Sequence, residues 1–167
     1  MSRFRPERGA IGAGVVAGGT ILCLGLAFFV AVVLPITDSA NRADAVGKAR
    51  TYDALALQGR TLYIREGCFS CHSQGVRDTF SDSGLAGRPS EAGDYLNEVP
   101  NLIGMLRLGP DLTCAGDREN DPNWQMRHLQ NPGSAVEHST MPKYDYLSKK
   151  ELQALAAYIL RLTCKEG

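Results

Sequence analysis

The sequence carries no excess charge of either sign: 18 lysines and arginines are balanced by 18 aspartates and glutamates. Chains that neutralise phosphate backbones usually show a basic excess, so no nucleic-acid partner is expected. From Gly9 to Thr37 there is no charged residue at all. Only one Cys-x-x-Cys occurs, and Cys23, Cys114 and Cys164 stand singly, with His128 and His138 forming no close ligand pair with them. A tetrahedral zinc site needs a second ligand pair. A thioredoxin-like dithiol needs a βαβ setting, which is missing around this motif. Both readings are set aside.

What remains is the stretch Gly67-Cys68-Phe69-Ser70-Cys71-His72. Cys-x-x-Cys-His is the attachment signature of a c-type haem. Two thiols about one helical turn apart can add across the two vinyl groups of one porphyrin. The histidine beside the second thiol is then held under the iron and can bind it through an imidazole nitrogen. One covalently attached haem c is therefore expected, on Cys68 and Cys71, with His72 as an axial ligand. There is one such motif, so a two-haem peroxidase is not expected.

The chain is 167 residues long, enough for one domain and an anchor. Residues 1–8 hold Arg3, Arg5 and Arg8 against Glu7 alone. The uncharged run, residues 9–37, exceeds the ~20 apolar residues that a spanning helix needs. It is also longer than the ~7–15 apolar residues of a signal peptide. A cleavage-like Ala43-Asp44-Ala45 lies well beyond it. An uncleaved membrane helix is expected, with residues 1–8 cytoplasmic by the positive-inside rule and the rest extracytoplasmic. Membrane lipid is thus a partner. Gly14-x-x-x-Gly18 suits close packing on neighbouring membrane helices, and Cys23 reads as an ordinary apolar residue of the span. Residues 38–51 are small and polar and read as a linker, leaving 52–167 as the haem domain.

That domain reads as all-α. Asp53 can cap a helix to Glu66, with Leu55, Leu62 and Tyr63 as its apolar face and Gly59 as a place for another helix to cross. Gly67 ends it. Residues 74–105 are rich in glycine and proline and read as loop. A short helix is expected over 123–130, stopped by Asn131-Pro132. Ser148-Lys149-Lys150-Glu151 is a capping box, opening a helix whose Leu152, Leu155, Ile159 and Leu162 recur at helical spacing. Cys164 is expected to close that helix.

A thioether is a good sixth ligand and raises the haem potential. Met141 precedes Pro142, which favours an extended backbone, so its side chain can project from a loop onto iron. Met126, Met105 and a bis-His arrangement through His128 or His138 are the competitors. Tyr144 and Tyr146 are expected at the haem rim. Trp124 is a core residue. Cys114 and Cys164 can pair in an oxidising compartment or remain two buried thiols. Gly109-Pro110 is either an ordinary turn or the turn whose carbonyl holds the haem histidine.

The order of these features is that of class I cytochromes c. Three further strings carry a closer likeness: Gly59-Arg60-x-Leu62-Tyr63-x-Arg65-Glu66-Gly67-Cys68-x-x-Cys71-His72-Ser73-Gln74, Arg107-x-Gly109-Pro110-Asp111-Leu112, and His128-Leu129-x-Asn131-Pro132. With Ser139-x-Met141-Pro142-x-Tyr144, the sequence from about Gly59 to Tyr146 resembles subunit II of cbb-type haem-copper oxidases. That is a mono-haem c subunit with one N-terminal membrane helix. The resemblance implies that Cys68, Cys71, His72 and Met141 bind haem, that Pro110 accepts from His72, and that Arg77 meets a propionate. It also implies integral membrane redox subunits with a haem-copper oxidase-like core as partners, and a cytochrome c or similar donor. Gly75 and Asp78 stand where that family has methionine and proline. The segment between Arg77 and Arg107 matches poorly, and Cys114 and Cys164 are extra.

The function expected is passage of single electrons within a respiratory membrane complex; the chain itself is not expected to be an enzyme. With His72 and Met141 both on iron, no position is open for substrate. The runner-up is the cytochrome subunit of a nitric oxide reductase or quinol-oxidising complex. A haem-based sensor would need a dissociable ligand and a signalling domain, which is not expected beyond Gly167.

Overall fold

The structure, a computed structural model, describes residues 7–85, 87–104 and 106–164. Arg3, Arg5, Met105 and the tail Lys165-Glu166-Gly167 lie outside the described residues, as does the side chain of Arg8. The chain divides into two compact units, Met1–Asp44 and Ala45–Gly167. Among the described residues there are helices and turns and no strand.

The first unit is built on helix α1 (Glu7–Phe28), continued by a π-helical turn, Phe29–Val33, and a last α-helical turn, Leu34–Thr37. Gly12–Thr37 is long and apolar enough to cross a membrane. At 1.5 Å per residue those 26 residues reach about 39 Å, more than the hydrocarbon core of a bilayer. Its large side chains, among them Ile21, Leu22 and Phe28, are exposed, as suits lipid rather than a protein core. Side chains added at Gly14 or Gly18 would meet open space. Cys23 is exposed and unpaired. Within residues 38–51 the chain forms helix α2 (Ser39–Gly47), so the polar composition there does not mean coil throughout.

The second unit rests on two crossing helices. Helix α3 (Ala54–Arg65) starts at Asp53, whose carboxylate accepts from the Ala56 N–H at 2.8 Å. Helix α5 (Lys149–Leu160) opens on the Ser148–Glu151 capping box. They meet at Gly59, where an added Cβ would lie 1.8 Å from the Ala154 carbonyl oxygen. Only glycine lets the backbones come this close. Ala56, Leu62 and Tyr63 line the α3 side, and Leu152, Leu155, Tyr158 and Ile159 the α5 side. Tyr63 and Tyr158 pack edge to face, centroids 5.3 Å apart. Leu55 is 45 % exposed. It lies at the margin of a face centred on Ala56, Gly59 and Tyr63, so it does not serve the core as the sequence suggested.

Helix α4 (Pro122–Gln130) joins this pair through buried Leu129. Helix α5 stops at Leu160, four residues before Cys164, because the chain turns to another partner: the Leu162 carbonyl accepts from the Gly116 N–H at 2.9 Å. Cys164 then forms a disulfide with Cys114, Cα atoms 5.1 Å apart.

Candidate functional site

Helix α3 ends where Gly67 takes a left-handed backbone, φ +69°, a conformation that glycine adopts without a Cβ penalty. The chain passes at once into a 3₁₀ turn, Cys68–Ser70. The N–H groups of Cys71 and His72 both donate to the Cys68 carbonyl, at 3.2 and 3.0 Å. That turn sets Cys68 and Cys71 one turn apart with His72 following. Cys68 is 8 % exposed and Cys71 half-buried, and both are free thiols. Burial pushes the Cys68 thiol up to about 11, against donation from the Tyr144 hydroxyl. Tyr144 is thereby placed at the cysteine pair, its own hydroxyl raised to about 12 by burial.

A second segment closes over His72. The Gly109 N–H donates to the Cys71 carbonyl at 2.9 Å, and His72 Nδ1 lies 2.9 Å from the Pro110 carbonyl oxygen. A carbonyl can only accept, so the ring proton sits on Nδ1 and Nε2 keeps its lone pair. Gly109 packs flat on the imidazole: a Cβ there would lie 2.3 Å from His72 Cε1. The Leu112 N–H donates to the Ser73 carbonyl at 2.7 Å.

Buried carboxylates secure this arrangement. Asp111, 1 % exposed, accepts from the Ser73 hydroxyl at 2.6 Å, the Gly75 N–H at 3.1 Å and the Thr113 N–H at 2.8 Å. Burial works to raise its carboxyl, but the bonds from Ser73 and Thr113 outweigh it and hold it below the usual range. Arg107 donates to the Ser73 hydroxyl at 2.7 Å and to the Gly75 carbonyl at 2.6 Å. It also reaches Asp82 through two nitrogens, both at 3.1 Å. Arg77 forms a bidentate pair with the same Asp82, 3.0 Å on each oxygen. These two guanidiniums, Arg77 foremost, hold the Asp82 carboxyl far below the carboxylate range.

On α4 the His128 ring stacks on Trp124, centroids 4.8 Å apart and nearly parallel. Its Nδ1 is buried with no hydrogen-bond partner. Burial lowers its basicity. The Tyr144 N–H donates to the Leu129 carbonyl at 2.9 Å and so draws the Met141–Tyr144 segment onto the end of α4. Met141 is half-buried against the core, and its N–H donates to the Ser139 hydroxyl at 3.3 Å. Tyr146 is 66 % exposed, its hydroxyl donating to Glu66 at 2.6 Å. His138 is exposed and sits by Glu137 at 3.3 Å.

The residues present fit a haem. Two unpaired thiols one turn apart, an imidazole with a free Nε2 and a glycine cradle behind it stand together. His128 Nδ1 on α4 is a further buried polar atom left without a partner. Sequence reasoning gave no role to Asp111 or to the Arg77–Asp82–Arg107 cluster. The only local hint was an arginine and an aspartate five residues apart in a loop-rich stretch.

An all-helical domain with this cysteine–histidine turn, following an apolar membrane-length helix, is a class I cytochrome c domain on an N-terminal anchor. The chain belongs to the family "Cytochrome C oxidase, mono-heme subunit/FixO", whose model matches residues 13–163. It is also similar to cytochrome c oxidase subunit 2 of Alkalihalophilus pseudofirmus, 25 % identical over 114 residues, or 68 % of this chain. The match spans 28 % of that relative's length.

Proposed function

We propose that this chain is the one-electron carrier subunit of a haem-copper-type oxidase, held at the membrane by Gly12–Thr37. Cys68 and Cys71 would hold one haem c through thioethers, and His72 Nε2 and the Met141 sulfur would bind its iron. Bound there, the haem supplies a ferric–ferrous couple. The chain's part is to hold and tune it. The Pro110 carbonyl fixes the His72 ring and its tautomer. Tyr144 would pack beside the thioethers, and Arg77 would offer its exposed side to a propionate. The haem domain would lie outside the cytoplasm, facing a cytochrome c or similar donor and passing electrons to integral redox subunits.

One observation carries this reading. Of the cysteines in the second unit, Cys114 and Cys164 pair with each other, while Cys68 and Cys71 stay free beside an imidazole already oriented by Pro110. Denaturing gels stained for haem, with acid–acetone extraction, test it. Wild-type protein keeps its haem; Cys68→Ser with Cys71→Ser releases it. Colourless wild-type protein sinks the proposal. Reduced wild-type protein resists carbon monoxide, whereas Met141→Ala binds it. Purification in mild detergent brings down subunits with haem-copper absorbance; a lone monomer counts against the oxidase assignment.

A further inference from the structure

We propose that Asp111 is a positioning residue for His72, acting through the Pro110 carbonyl. This rests on the reading of His72 as an axial haem ligand. Asp111 follows Pro110 directly and is almost fully buried. Its two oxygens bind both sides of the clamp: Oδ2 takes the Ser73 hydroxyl and the Gly75 N–H, just after His72, and Oδ1 takes the Thr113 N–H, just after Pro110. Backbone bonds from Gly109 to Cys71 and from Leu112 to Ser73 run alongside. Pro110 supplies no N–H of its own to this ladder. The side chain of Asp111 therefore sets where the Pro110 carbonyl stands relative to His72 Nδ1. Arg107 steadies the same Ser73 hydroxyl and lies 3.7 Å from Asp111.

The consequence is electronic as well as steric. A firm Nδ1–H···O=C bond makes a metal-bound imidazole a stronger donor, which favours ferric iron. Loosening the clamp weakens that donation and favours ferrous iron. Removing the carboxylate charge acts in the same direction.

The test uses the full-length, haem-loaded protein in detergent. Asp111→Asn keeps the shape and loses the charge and the acceptor shared by the Ser73 hydroxyl and the Gly75 N–H. Ser73→Ala loses the bond to Asp111 and the acceptor of Arg107, but no charge. Asp94→Asn removes a buried carboxylate held elsewhere, by Arg50 and Arg88. Two quantities are read: the haem reduction potential, and the exchange rate of the His72 Nδ1 proton in the ferrous protein by nitrogen-15 NMR. Asp111→Asn is expected to shift the ferric–ferrous equilibrium about tenfold toward ferrous, ~59 mV for one electron, and to speed the exchange. Ser73→Ala moves both the same way by less, and Asp94→Asn leaves the exchange unchanged. Haem-loaded Asp111→Asn with wild-type potential and exchange overturns the proposal. So does a potential shift in Asp111→Asn with unchanged exchange in both clamp variants, since charge alone would then suffice. Equal exchange effects in Asp94→Asn also overturn it, as a general loosening. If Asp111→Asn takes up no haem, Ser73→Ala decides. Failure of the underlying reading looks different: wild type itself would carry no haem.

Discussion

Where α3 crosses α5, glycine, alanine, leucine and tyrosine meet in an apolar seam. Among the described residues from Gln74 to Leu112 there is only loop and 3₁₀ turn, and the backbone is held by buried charge. Asp82 binds Arg77 and Arg107, and Asp94 binds Arg50 and Arg88. Glu98 pairs with Arg60 at 2.6 Å and accepts from the Tyr52 hydroxyl. The seam is stabilised by removing apolar surface from water, which tolerates many side chains of suitable size. The loop depends on particular partners, because a buried charge left alone costs far more than the pair gains. The site stands between the two regions: the cysteine turn grows from α3, and the His72 clamp from the loop.

The sharpest break in the seam is Gly59→Leu. The side chain must enter space held by the Ala154 backbone, beyond the ~3 kcal/mol of ordinary overpacking. We expect loss of cooperative unfolding by circular dichroism. A normal transition would mean that the helices part cheaply. Next is the disulfide, which ties the end of the loop region to the chain beyond α5 across 50 residues. Chain entropy puts its contribution at about 4 kcal/mol, so Cys164→Ser should lower the urea midpoint accordingly. An unchanged midpoint would assign that role to Arg50, whose guanidinium spans the Thr113 and Thr163 carbonyls.

Glu98→Ala leaves the buried Arg60 without its carboxylate and should cost about 3 kcal/mol. A cost near zero by denaturant titration would show that charge pairing is not what holds the loop. Acid should separate the two regions directly. The folded Asp82 and Asp111 carboxyls lie below their unfolded values. Their stabilisation is therefore present above the unfolded value of about 3.9 and drains away as pH falls toward the folded ones. Amides of residues 74–112 should lose hydrogen-exchange protection at higher pH than those of α3 and α5. The smallest effect expected is Ser148→Ala, which removes one side of a capping box for about 1 kcal/mol. It should lower the thermal midpoint by roughly 4 °C without touching the loop.

Helix starts were readable because their signals are local: Asp53 and Ser148 cap the N–H groups two or three residues on. The α5 stripe was readable because burial of one face imposes the helical period on leucine. Leu55 misled because one apolar residue does not reveal where a face is centred. The loop was opaque for a related reason. Arg60 finds Glu98 across 38 residues and Arg50 finds Asp94 across 44, with no repeat to mark either pair.

The sequence by itself determined the all-helical class, the membrane-length apolar run and the oxidase-subunit family, because period, length and short strings survive without knowledge of contacts. Only the tertiary structure decided that Cys114 meets Cys164, that Asp111 braces the turn over His72, and which arginine neutralises which carboxylate. Those are encounters between distant positions, chosen when burial removes water and makes each charge depend on the few partners within reach.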